Sequence, residues 1–133
     1  PGFWTNSCCS HPRRGESLEA SVKRRLREEL GSTPSLTRYA SRFEYHARYG
    51  DAGSEHELCH IYLARHGADA SLTVHPLEVA EMRWMTADEV DALMREARDD
   101  LTPWFRLEWA LLRKEHSELL AKFLQREDHL DVA

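Results

Sequence analysis

Leu18, Val22, Leu26 and Leu30 recur at four-residue steps, and the series stops at Gly31. Four-residue spacing keeps side chains on one face of an α-helix, so this stripe predicts an amphipathic helix that must lie against an apolar surface. Ser17 stands where an N-cap belongs, and Gly31 where a left-handed C-cap residue belongs. The basic run Lys23-Arg24-Arg25-Leu26-Arg27 is interleaved with acids: Glu19 with Lys23, Arg24 with Glu28 and Arg25 with Glu29 are all four apart. That pattern reads first as a solvated, salt-bridged face, with anion binding as the alternative.

The rest of the chain must supply the surface this helix covers. Residues 3–9 read as a short extended segment, and Pro12 to Gly15 as a turn. Residues 37–48 read as a strand, Gly50-Asp51-Ala52-Gly53 as a turn, and Glu57 to Arg65 as the second strand of a hairpin. Val79 to Trp84 reads as a further short strand. Thr86 caps a helix over Ala87 to Ala97, and Thr102-Pro103 opens a last helix, with proline at its first position. That helix directs Trp104, Trp109, Leu112 and Leu119 towards a core, and Trp84 is expected in a core as well. Strands and helices without regular βαβ alternation predict one α+β domain over residues 1–133, with a mixed sheet.

Composition narrows the function classes. The 133 residues are 41% apolar and 31% charged, which suits one globular domain. No apolar run approaches the roughly 18 residues that span a bilayer, and no secretory signal is visible. A net charge of -5 without a basic block argues against a binder of nucleic-acid backbones. Three cysteines, two of them adjacent, do not make a disulfide framework, and a reducing cytoplasm is expected. The first residues, Pro1-Gly2-Phe3-Trp4, lack a Met and begin mid-pattern, which predicts missing upstream sequence.

Three groups of residues carry chemistry. Cys9 and His11 are two apart, so an extended backbone projects them on one face and Cys8 on the other. This reads either as an incidental pair or as a thiol acid/base beside a metal-ligating imidazole. Glu55 and Glu57 also share a face, and two like charges there are tolerated if solvated, if one is protonated, or if a cation lies between them. Oxygen donors of that kind suit Mg²⁺ or Mn²⁺. No CxxC or HxxxH spacing supports structural zinc. Finally, Glu28-Glu29-Leu30-Gly31 closes the first helix in the manner of a Nudix box, which Glu16, Arg24 and Leu26 also fit. Arg25 stands where that box wants a glutamate. A positive charge among carboxylates meant to hold ions counts against diphosphate hydrolysis. Trp104 and Trp109 are about 140° apart around a helix axis and do not both face one spot.

Together these stretches resemble the type I isopentenyl diphosphate isomerases, a Nudix-fold family. Residues 1–12, PGFWTNSCCSHP, resemble its cysteine motif. Arg24 to Gly31 resemble its altered Nudix box, and Tyr45 with Glu55-His56-Glu57-Leu58-Cys59 its tyrosine and Glu-x-Glu motif. Thr102-Pro103-Trp104 and Trp109 resemble its C-terminal tryptophan region. The matches keep their order from residue 1 to about 110. The resemblance implies an α/β/α sandwich lacking its N-terminal portion. It also implies an isomerase that interconverts isopentenyl and dimethylallyl diphosphate in the cytoplasm. Cys9 and Glu57 would be its two acid/base groups, on opposite sides of the substrate, with Tyr45 assisting at the glutamate. His11, Glu55 and Glu57 would ligate a divalent ion, Mg²⁺ or Mn²⁺. Glu29 would help hold a second ion with the diphosphate, and Trp109 would lay its indole on the hydrocarbon end. The charge and the lack of a long apolar run predict no nucleic-acid or membrane partner. A Nudix diphosphohydrolase and a non-catalytic metal-binding domain are the competing readings.

Overall fold

The computed structural model describes residues 2–48, 50–67, 71–96, 99–124 and the backbone of 130–132. The leucine stripe forms helix α1, Leu18–Leu30, capped by the Ser17 hydroxyl, which accepts from the Ala20 N–H. Gly31 ends it at φ 62°, with its N–H on the Arg27 carbonyl and the Ser32 N–H on that of Leu26. The left-handed turn costs a residue with a Cβ. Here a Cβ would also stand 2.9 Å from the Thr73 carbonyl oxygen.

Two long strands follow, β1 (Leu36–Arg48) and β2 (Ser54–Arg65), joined by a 3₁₀ turn at Gly50–Ala52. They pair antiparallel from Leu36 opposite Arg65 to Arg48 opposite Ser54, with an irregularity between Tyr39 and Ser41. A third strand, β3 (Leu130–Val132), pairs antiparallel with β2 at Leu63 to Arg65. From Ser54 to Tyr62 the second edge of β2 carries no strand among the described residues. The one parallel pairing among them is an isolated bridge between Trp4 and Leu101.

Helices cover both faces of this sheet. On one, Ile61 and Leu63 pack with Trp109, Leu112, Leu120 and Phe123. These last four come from α3 (Pro103–Glu115) and α4 (Ser117–Leu124). On the other, Ala64 packs with Leu26 and Leu30 of α1, against Cys8 and Val22. The period-2 alternation of β2 therefore feeds two cores, which gives an α+β fold of helix, sheet and helix layers.

Helix α2, Ala87–Arg95, begins with a capping box: the Thr86 hydroxyl accepts from the Glu89 N–H, and the Glu89 carboxylate accepts from the Thr86 N–H. The expected end of this helix at Ala97 lies outside the described residues.

Four sequence expectations are corrected. Val79 to Trp84 is not a strand. The preceding segment instead serves α1: the Thr73 and His75 N–H groups donate to the Leu30 and Glu29 carbonyls, which the helix itself leaves unmatched. Trp84 is 45% exposed and stacks on His66, so it is no core residue. The last helix is interrupted at His116, where φ is -127°, and continues as α4. The residues expected to be extended at 3–9 form only the Trp4 bridge, and the stretch holding Cys8, Cys9 and His11 is irregular.

Candidate active site

The open edge of β2 is where the chemistry-bearing residues meet. A hollow of about 320 Å³ lies there, walled by the 6–12 segment, α1, β2 and the first turns of α3. Each wall places its residues for a local reason. Asn6, 7% exposed, donates from its side-chain amide to the Cys8 carbonyl at 2.8 Å and so shapes the irregular cysteine segment. Strand alternation puts Glu57 and Cys59 on the face that carries Ile61 and Leu63 deeper in the core. Pro103 starts α3 so that Trp104 and, one turn later, Glu108 face the hollow.

Cys9, His11 and Glu57 all line this hollow. His11 Nε2 is 3.0 Å from Glu57 Oε1. The Cys9 thiol is pushed up from 9.0 to about 11, first by desolvation and then by Glu108, Cys59, Glu57 and Glu29. Cys8 is pushed up further, chiefly by burial and then by Glu29, and it packs against the Leu26 and Leu30 core. Both thiols line the hollow, Cys8 the more deeply set and Cys9 the more exposed.

The remaining residues singled out from sequence fall at different distances from this centre. Tyr45 pairs in register with Glu57, is 3% exposed and meets the Trp104 ring edge-on at 5.8 Å. Glu55 is exposed on the same strand face, two residues before Glu57. The Glu29 carboxylate is held by the Arg25 guanidinium, which also donates to Glu28 at 2.9 Å. Arg25 lines the hollow, and its Nε is buried with no hydrogen-bond partner among the described residues. Among those residues, no three His, Cys, Asp or Glu side chains come together as a group able to hold a metal ion.

Trp109 is not at the hollow. It is 3% exposed in the core, and its Nε1 donates to Asp91 at 2.8 Å. The indole in the wall is that of Trp104, whose Nε1 donates to the Thr5 hydroxyl at 3.0 Å.

The sequence reading also missed Glu108, which is 6% exposed in the wall and is raised from 4.5 to about 8 by desolvation. The available signal was a carboxylate placed four residues after Trp104 and four before Leu112, among the helix's apolar positions. A second hollow, along Trp84 to Glu89 and Leu124, is lined by no thiol and no imidazole. No helix among the described residues is long and apolar enough to cross a membrane.

An antiparallel sheet between helix layers, with a glutamate-ended α1 closing on Gly31, defines a class. The chain belongs to the NUDIX domain family, whose model matches residues 1–124. Within that class it is similar to proteins named isopentenyl-diphosphate Delta-isomerase. It is 41% identical to one from Cereibacter sphaeroides over 107 residues, 80% of this chain and 60% of that protein. It is 36% identical to isopentenyl-diphosphate Delta-isomerase 1 of Photorhabdus laumondii over 121 residues, 90% of this chain and 68% of the relative. With the Dinoroseobacter shibae isomerase it shares 39% over 118 residues, 89% and 65% of the two. The chain thus spans 60% to 68% of the length of these relatives.

Proposed function

We propose that the protein carrying this chain interconverts isopentenyl and dimethylallyl diphosphate, with Cys9 and Glu57 as its acid/base pair. The observation that carries the reading is the meeting of a thiol, a carboxylate and an indole in one small hollow. The names of its relatives point the same way.

Moving a double bond by one carbon adds a proton at one end of the alkene and removes another further along. Protonation of an unactivated alkene leaves a tertiary carbocation, which needs a dry wall and a π face. Trp104 supplies that face, in place of the Trp109 named from sequence. The geometry supports Trp104 because its ring is held by Thr5 and by Tyr45. A thiol and a carboxylate bordering one hollow give and take protons in either direction. The Cys9 thiol, raised to about 11 by desolvation and then by nearby carboxylates and Cys59, carries its proton at neutral pH. Tyr45, opposite Glu57 in the hairpin, steadies the glutamate side.

The substrate's diphosphate needs positive charge in an acidic chain. Arg25, which lines the hollow on the α1 side, supplies it. His11 and Glu57 fit as two ligands of a divalent ion, since a nitrogen and an oxygen donor already lie 3.0 Å apart. Glu55, exposed two residues before Glu57, would have to turn in to join them, and Glu29 would serve a second ion on release from Arg25. The bound ion, Mg²⁺ or Mn²⁺, supplies charge neutralisation for the diphosphate. The cytoplasm is the proposed compartment, in keeping with three free thiols.

Incubation of the full-length protein with isopentenyl diphosphate and Mg²⁺, followed by proton NMR, tests the reading. The methyl signals of dimethylallyl diphosphate are expected. Phosphate release from nucleoside diphosphate derivatives in their place would make it a hydrolase.

A further inference from the structure

The proposed reaction gives Glu108 no part, yet Glu108 stands in the wall of the same hollow as Cys9, Glu57 and Trp104. Its side chain is 6% exposed, and its Oε1 has no hydrogen-bond partner among the described residues. Protein interiors match nearly all buried polar atoms, and an unmatched one on a residue that lines a cavity is a place for a water or a ligand group. Its field acts on both Cys9 and Cys59, so Glu108 lies near the thiol that would meet the reacting carbons.

A purely hydrocarbon ligand end offers this oxygen nothing. It strips water from the carboxyl and leaves it unmatched, which weakens binding. A hydroxyl on the hydrocarbon end would restore the missing bond. We propose that Glu108 is a specificity-determining residue that makes the hollow favour a five-carbon diphosphate carrying a hydroxyl on its hydrocarbon end over the unsubstituted one. This rests on the reading of the hollow as a short-chain diphosphate site. Burial supports the pairing with a neutral hydroxyl: Glu108 keeps its proton up to about 8, so no charge need be created or neutralised. Sites built to bond a hydroxyl discriminate strongly against ligands that lack it, because the protein group is then stranded.

The test is calorimetric binding to the full-length protein with Mg²⁺, using isopentenyl diphosphate and its analogue hydroxylated on the methyl carbon. The wild type is expected to bind the hydroxylated ligand at least about tenfold tighter. Glu108→Leu should erase that preference and Glu108→Gln should keep part of it. If the leucine variant does not fold, Glu108→Met, of similar length, takes its place. Equal affinities in the wild type, or a preference unchanged by the apolar variant, overturns the role of Glu108 and leaves the diphosphate site standing. If neither ligand binds, both readings fall.

Discussion

His11 Nε2 and Glu57 Oε1 lie 3.0 Å apart, although 46 residues separate them in the chain. This contact ties the irregular cysteine segment to the open edge of β2. It therefore positions Cys9 as well as forming a donor pair. His11→Ala and Glu57→Gln are each expected to weaken Mn²⁺ binding by at least about tenfold, read by calorimetry or by the electron spin resonance of free Mn²⁺. Unchanged affinity in both variants would remove these residues from any metal site.

The two neighbouring thiols should separate cleanly. Both border the hollow, but Cys8 also packs on the Leu26 and Leu30 core, while Cys9 is exposed. Cys9→Ala is expected to lower turnover by about a hundred- to ten-thousandfold with little change in melting temperature. Cys8→Ala should show the reverse, a stability loss of about 1–2 kcal/mol with activity largely kept. Turnover assays and thermal melts on the same preparations distinguish them.

The tryptophans should divide in the same manner. Trp104→Leu removes the π face and is expected to reduce kcat with a folded protein remaining. Trp109→Ala removes core packing with Ile61 and Leu112 and the bond to Asp91, at about 3–5 kcal/mol. Urea denaturation of both variants, beside their kcat values, checks the division.

Much of this arrangement was legible in the chain itself. The α1 stripe, its Ser17 and Gly31 caps and the Thr86 start of α2 are local features, and local chemistry suffices to place them. The hairpin likewise follows from a glycine-bounded turn between two strands. What escaped depended on partners distant in sequence. Val79 to Trp84 carries strand-like residues but meets no strand among the described residues, and the preceding 73–75 is bound to the end of α1. The interruption at His116 has no glycine or proline to announce it. Trp104 and Trp109 lie on different faces of α3, and which one meets the hollow is decided by how that helix seats on β2. Glu108 was missed for the same reason, since its burial is a property of the packed helix and not of its neighbours in the chain.

Glu108 should also leave a mark on stability. Folding raises its carboxyl from 4.5 to about 8, so between those values the folded chain holds a proton that the unfolded chain has released. Its contribution is fully present below 4.5 and is lost as pH rises towards 8, at a slope of at most about 1.4 kcal/mol per pH unit. Denaturation midpoints measured from pH 4.5 to 8 should therefore fall less steeply in Glu108→Gln than in the wild type. Parallel curves would mean that the carboxyl ionises in the fold as it does in water.

At Gly31 the backbone and its neighbour agree. A positive φ of 62° and the nearby Thr73 carbonyl both oppose a side chain there. Gly31→Ala is expected to cost about 1–2 kcal/mol or more, read as a lower melting temperature.

Solvent deuterium uptake into isopentenyl diphosphate, followed by NMR with Mg²⁺ present, probes the acid/base pair most directly. Label is expected to enter both isomers with the wild type and to be lost with Cys9→Ala and with Glu57→Gln. Undiminished labelling by both variants would show that the protons pass through other groups, and the thiol and carboxylate of this hollow would have no part in the chemistry.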